Sequence, residues 1–423
     1  MSLSPDVIRT INQLPLKMES PHFIIHYTMR NPALGPGGGA HGVRDRVLIL
    51  TYLAALESLF LTMTSPPWNR PRPQTVGENK KTHVYVCNVT SPFTAPDPHK
   101  IPCIVLSSRS NETTTHAELY RASAEAVHEA THLFNYAERP HLETSSHPWL
   151  WFDEGMAVLM ETVVAAGNHD HFRYLMNWID TPEMPLDAPG GKYQAGMFVR
   201  YLSKKLGADF VNDVWTKSPV KMGPLEALDH FAAQRGLAFA SALPHVDDIF
   251  ASGYCLDPYF LWEPMSLSLA PEIFVRYGER AISECFVMQP GDKITKPRGE
   301  RSEPLLYHLD HLSCRYYRFH LRGGVSQLNI SVVPEEPCES SPLKAEAVVV
   351  NADRLRTPTV TLQRPAANAN GAGGLSAVVP TPKADEVDHV VLVVSNCGMA
   401  SMLNAAGTGH DDNKRFTLTV EAV

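Results

Sequence analysis

Apolar positions fall into three regimes along the chain: short β-rich runs around one long apolar stretch, then helical spacing, then short alternating runs. In the first hundred or so residues, stretches 22–27, 83–87 and 102–107 are rich in β-branched and aromatic residues and predict strands. The apolar run 47–63 predicts a long core helix, because it contains Glu57 and is short for a membrane span. Residues 35–39 are Gly-rich but lack the Lys-Ser or Lys-Thr of a phosphate loop, so they predict a linker. From Ala117 to about Ser252 the pattern is mostly helical. Leu119, Ala122, Ala126, Val127, Leu133 and Phe134 share one helix face, Thr115 and Glu118 form a candidate capping box at its start, and Pro140 ends it. A second helix is predicted from Trp149 to about Ala165, with Pro148 near its start and Gly167 past its end. Residues 271–286 suggest a further helix, and 288–303, with Gly291, Pro297 and Gly299, a linker. Runs 314–321, 327–333, 345–350, 359–363, 390–394 and 415–420 then read as short strands, interrupted by an Ala/Asn/Gly-rich loop over 365–374. The expected fold class is α+β: a mixed β-sheet part over 1–115, a helical part over 116–290 and a C-terminal β-sandwich over 303–423.

Composition changes this picture little. A chain of 423 residues, 44% hydrophobic and 19% charged, is long enough for two or three domains with a sizeable core. A net charge of −8 gives no general attraction to nucleic acid or to an anionic membrane. The seven cysteines contain no C-x-x-C pair, which argues against a disulfide framework and a cysteine zinc site. Sequons at Asn88, Asn111 and Asn329 carry meaning only in a secreted protein. Residues 1–16 do not read as a signal peptide, so the expected location is cytoplasmic, with no transmembrane segment.

The chemistry is concentrated in His128-Glu129-Ala130-Thr131-His132. On a helix, residues four apart share a face, so both imidazoles reach one point and can hold a divalent ion, with zinc the best match. Glu129 stands beside them, where a carboxylate can take a proton from water activated there. A catalytic zinc takes three protein ligands and keeps one position open. The segment Asp153-Glu154-Gly155-Met156-Ala157, in the first turns of the second predicted helix, offers a carboxylate for the third. Glu138, six residues past His132, is a competing ligand if Asn135 makes a turn. Asp153 points away from Glu154 on a helix and is expected to cap or to support a ligand.

These motifs resemble the gluzincin metallopeptidases, the superfamily of thermolysin and aminopeptidase N, which carry H-E-x-x-H on one helix and a Glu ligand on the next, often in a D-E-G-x-A setting. The resemblance implies a gluzincin-type catalytic domain, one zinc ion per chain held by His128, His132 and Glu154, and Glu129 as general base. The stretch Tyr193-Gln194-Ala195-Gly196, followed by Tyr201-Leu202 and Leu206-Gly207, is similar to an aminopeptidase N segment whose first Tyr donates to the oxyanion. By that resemblance Tyr193 takes this role, and Tyr201 faces the core. His169 and His171 are alternative donors, and His116, His141 and His147 also flank the site in sequence. Gluzincins place a substrate-pairing edge strand just before the zinc helix, here 102–107, and the aminopeptidase branch has G-x-M-E-N on it. This chain has Ile104-Val105-Leu106-Ser107-Ser108 instead, which leans towards an endopeptidase acting on a peptide or protein. Two other classes remain: a zinc hydrolase of a non-peptide amide or ester, and a non-catalytic binding protein on the same fold. The C-terminal β-rich part shows no catalytic constellation and is a candidate module for a protein or carbohydrate ligand.

Overall fold

The structure, a computed structural model, describes residues 5–29, 42–73, 75, 80–96, 102–108, 116–142, 147–165, 181–188, 193, 195–243, 245–256, 282–296, 308–335, 341–351, 360–363, 374–381, 387–399 and 414–423. It is a mixed α+β protein that divides into two compact units, Met1–Leu175 with Lys192–Pro224, and Met176–Gly191 with Leu225–Val423.

The first unit begins with helix α1 (Pro5–Ile11) and strands β1 (Leu16–Glu19) and β2 (Phe23–Tyr27). Helix α2 (Arg46–Met63) leads to β3 (Thr82–Cys87), β4 (Phe93–Pro96) and β5 (Pro102–Ser107). The sheet order is β1-β2-β3-β5-β4, with β2, β3 and β5 parallel and β1 and β4 antiparallel at the two edges. The parallel strands are mainly apolar and mostly buried, with Ile25, Val84, Val86, Ile104, Val105 and Leu106 at their centre and His26, Thr82 and Ser107 as buried polar residues among them. Strand 102–107 therefore forms where expected but is interior, and the edge strand is β4. The short Phe-Thr-Ala-Pro run of β4 carries too little pattern to be read in advance, and its Pro96 suits an edge, where a missing N–H breaks no ladder.

Asp45 caps α2 by accepting a hydrogen bond from the Val47 amide at 2.9 Å. Among the described residues α2 is the one helix long and apolar enough to cross a membrane. It buries Leu48, Ile49, Tyr52, Leu56 and Leu59, and the Tyr52 hydroxyl donates to the Ser107 carbonyl at 2.9 Å, tying it to β5. Helix α3 (His116–Glu138) packs between α2 and α4 (Leu150–Val164), and α4 packs on α5 (Ala195–Leu206), which is followed by α6 (Ala208–Thr216). Buried alanines at 122, 124, 126 and 130 let α3 approach its neighbours closely. The expected cap Thr115 lies outside the described residues.

The second unit contains α7 (Pro224–Gln234), a π-helical turn (Phe250–Cys255) and two five-stranded sheets. Its strands are β6 (Ile282–Met288), β7 (Lys293–Lys296), β8 (His308–Leu309), β9 (Ser313–Leu321), β10 (Gln327–Pro334), β11 (Leu343–Asn351), β12 (Val360–Thr361), β13 (Leu375–Pro380), β14 (Val387–Asn396) and β15 (Lys414–Ala422). One sheet runs β13-β10-β15-β7 with β8 also on β15, and the other runs β12-β11-β14-β9-β6. Leu328, Ile330, Val332, Leu418 and Val420 of the first share one apolar core with Phe319, Ala347, Val349, Val390 and Leu392 of the second. Each of the six strand predictions corresponds to a strand. The helix expected over 271–286 does not hold over 282–286, where the chain forms β6, and residues 271–281 lie outside the described part. The linker expected over 288–303 contains β7. In both places pairing with a neighbour (β6 on β9, β7 on β15) supplies backbone bonds that weak local pattern does not announce. The loop 365–373 lies outside the described residues. All six described cysteines are free thiols.

Candidate metal centre

Helix α4 is buried all round from Trp151 to Glu161, yet it carries Asp153, Glu154 and Glu161. Carboxylates in such a helix need partners, since an unpaired buried charge is strongly unfavourable. The partners come from α3. His128 Nε2 lies 3.1 Å and His132 Nε2 3.7 Å from the same oxygen, Glu154 Oε2. The other ring nitrogens face the remaining carboxylates: His128 Nδ1 is 2.7 Å from Glu161 Oε1, and His132 Nδ1 is 3.1 Å from Asp153 Oδ2. Asn135 Nδ2 donates to Asp153 Oδ1 at 2.7 Å. Both imidazoles thus turn Nε2 towards Glu154 and have Nδ1 gripped from behind.

Carboxylates placed behind imidazoles in this way are what would orient histidines that hold a metal ion. One donor atom each from His128, His132 and Glu154 lies within 4.8 Å of the others. A tetrahedral zinc site with bonds of about 2.0–2.1 Å spaces its donors by about 3.3 Å. The two nitrogen–oxygen distances of 3.1 and 3.7 Å bracket that spacing. These two spacings match what a zinc-sized ion requires, and the third donor pair lies within 4.8 Å.

Without an ion, the same groups are balanced as ion pairs. Burial disfavours charge on His128, but its hydrogen bonds to Glu154 and Glu161 outweigh that and lift its pKa to about 10. His132 is raised well above the usual imidazole value, the charge of Asp153 and the bonds to Asp153 and Glu154 overcoming burial. Glu154, despite its burial, is held far below the carboxylate range by the two imidazoles. Without a cation, protons on the histidines balance the carboxylates. A divalent ion at the Nε2 positions would replace those protons.

Glu129 faces the same region. Its burial raises its pKa, against the opposing charges of His128 and His132. The hydroxyl of Thr94, on edge strand β4, lies 2.7 Å from the Glu129 carbonyl oxygen and 3.1 Å from its Oε2. Tyr193 is partly exposed, with its ring centroid 5.8 Å from that of His128. Tyr136 stacks on His132 with centroids 5.8 Å apart. Tyr201 is buried against Phe198.

Close helix contact fixes this geometry. A Cβ on Gly155 would come 2.7 Å from Val199 Cγ2, and a Cβ on Gly196 would come 2.5 Å from Val158 Cγ1. The glycines that follow Glu154 and Tyr193 in their motifs are thus where α4 and α5 touch.

The structure brings together His128, Glu129, His132, Glu154 and Tyr193. Glu138 ends α3 outside the His128–His132–Glu154 group, because Asn135 continues the helix instead of making a turn. His141 is exposed, and His147 is buried without a hydrogen-bond partner among the described residues. His169, His171 and the His116 side chain lie outside the described residues. Sequence reasoning missed Glu161, Thr94 and Tyr136. Glu161 had a signal: it lies seven residues after Glu154, two turns along one helix face.

No protein-family profile matches the chain, and no curated protein matches it. Among solved structures, CorA, a surface-associated copper-binding protein important in copper acquisition by Methylomicrobium album BG8, is similar over 34% of this chain and 98% of its own, at 13% identity and a TM-score of 0.17. A similarity that slight bears on neither fold nor metal.

Proposed function

We propose that this chain is a zinc-dependent peptidase of gluzincin type, more endopeptidase than aminopeptidase, with an appended β-sandwich. The supporting observation is the convergence of His128 Nε2, His132 Nε2 and Glu154 in a buried pocket of carboxylates, with Glu161 and Asp153 behind the imidazoles and Glu129 alongside. A structural metal needs no such adjacent base.

His128, His132 and Glu154 would hold the ion. Zinc, when bound, supplies a Lewis acid that polarises a carbonyl and acidifies water. Glu129 accepts the proton of the attacking water and delivers it to the leaving amine, and its burial raises its proton affinity towards what a shuttle requires. Thr94 holds the base against the sheet edge. The outer side of β4 pairs with no other strand among the described residues, so an extended peptide can add to the sheet beside Glu129. Tyr193, next to His128, donates its hydroxyl to the developing oxyanion.

Elemental analysis of the wild type and Glu154→Ala, with peptide-library cleavage by the wild type and Glu129→Gln, tests this. About one zinc per chain that Glu154→Ala loses, together with cleavage that Glu129→Gln abolishes while keeping zinc, is expected. A zinc-loaded protein that leaves every peptide intact would instead favour a non-peptide substrate or a binding role.

A further inference from the structure

Behind the α4 face that carries Glu154 lies a second polar cluster, in an aromatic layer of the same unit. Arg70, 3% exposed, lies with its guanidinium carbon 5.9 Å from the centroid of the Trp215 ring. Arg139, 4% exposed, lies 5.5 Å from that centroid and 4.2 Å from that of Trp149. Each guanidinium has one weak or neutral acceptor: Arg70 Nη2 reaches Met156 Sδ at 3.8 Å, and Arg139 Nη1 donates to the Trp215 carbonyl at 3.2 Å. Arg70 Nε and Nη1, Arg139 Nη2 and Trp215 Nε1 are buried and have no acceptor among the described residues. Neither arginine makes an ion pair among the described residues. Glu138 acts on both arginines and Asp153 on Arg70, in each case through space without a bond to the guanidinium, and Asp153 already serves His132 and Asn135.

A buried donor without an acceptor is costly, and two buried guanidiniums with no carboxylate bonded to either are more so. Water could satisfy the N–H groups but not the charge. An anion satisfies both, and its bonds to guanidinium are charge-assisted. We infer that Arg70 and Arg139, on the Trp215 ring, hold a small monovalent anion of the halide class in the core of this unit. This does not depend on peptidase activity. It assigns a stabilising role to the anion, and to Arg70 and Arg139 the role of its ligands.

The test is thermal unfolding of the full chain in sodium chloride, sodium bromide and sodium gluconate at matched ionic strength. Chloride and bromide should raise the melting temperature with the logarithm of their concentration, by about 5–11 °C at a hundredfold excess over the dissociation constant, and gluconate should not. Arg70→Gln should remove the halide response. If that variant does not fold, bromide-soaked wild-type crystals decide: an anomalous peak within hydrogen-bonding distance of Arg70 or Arg139 is expected. A melting temperature that follows ionic strength whatever the anion, or crystals with no bromide peak at these residues, would overturn the assignment and leave water as the partner.

Discussion

Gly196→Ala adds one methyl group where α5 crosses α4. The new Cβ would stand 2.5 Å from Val158 Cγ1 and 2.6 Å from Val158 Cβ. Carbon atoms settle at about 3.5–4.0 Å, so about 1 Å of relief is needed. A rotamer change can swing Cγ1 away, but Cβ is fixed to the backbone of α4, so the helices themselves must part. Overpacking of this kind costs about 1–3 kcal/mol, and backbone movement puts it near the upper end. Alanine returns about 1 kcal/mol of helix propensity over glycine. The expected net loss is about 2 kcal/mol, a fall of about 4–8 °C in melting temperature for a unit of this size. Glu154 lies one turn before Val158 on α4, so zinc affinity should fall in the same variant. Gly155→Ala should be milder, because its tightest neighbour, Val199 Cγ2 at 2.7 Å, is a side-chain tip. Adding Val158→Ala to Gly196→Ala should restore only part of the loss, since the Val158 Cβ position remains filled. Thermal unfolding of the four proteins, with zinc competition against a chromogenic chelator, reads all of this. A Gly196→Ala protein that melts at or above the wild type and binds zinc normally would refute the close crossing.

Glu161→Ala removes the acceptor behind His128 and should weaken zinc binding about 10–100-fold in the same competition assay; an unchanged affinity would mean that this carboxylate does not orient the ligand. In the metal-free protein the His128 pKa is raised above its unfolded value, to about 10. Its stabilisation is therefore complete below the unfolded imidazole pKa of about 6.5 and is lost as pH rises through about 10. The melting temperature without metal should fall across that window, and saturating zinc should suppress the fall; matching profiles with and without zinc would contradict it. In the second unit, Lys344 Nζ is 2.7 Å from Asp248 Oδ2, with side chains 2% and 0% exposed. Lys344→Met strands that carboxylate and should cost about 3–5 kcal/mol, read as a lower urea midpoint; an unmoved midpoint would mean that Asp248 finds another partner.

Local periodicity made much of this molecule legible in advance. Helix α3, the pairing of His128 with His132 on one face, the adjacent Glu129 and the β-rich C-terminal region follow from spacings of four and two residues, which are covalent consequences of helix and strand geometry. The candidate site was legible as a set of residue types. Which carboxylate serves which imidazole was not, because that depends on how α4 crosses α3 and α5. The crossing places Glu154 at both Nε2 atoms and Asp153 and Glu161 behind them, and leaves Glu138 outside. Asn135 shows the limit well: by type it suits a turn, yet in the core it continues the helix and donates to Asp153, because a buried carboxylate offers it a better bond than solvent would. The sheet edge was settled in the same way. Strand β5 was visible as an apolar run, but the pairing of the short β4 alongside it made β5 interior and set Thr94 against Glu129. The sequence by itself determined helices α2, α3 and α4, most strands and the cluster of metal-binding residue types, since these need only neighbours along the chain. The tertiary structure alone decided the partners, the edge and the buried arginine layer, since these arise from contacts between elements far apart in sequence.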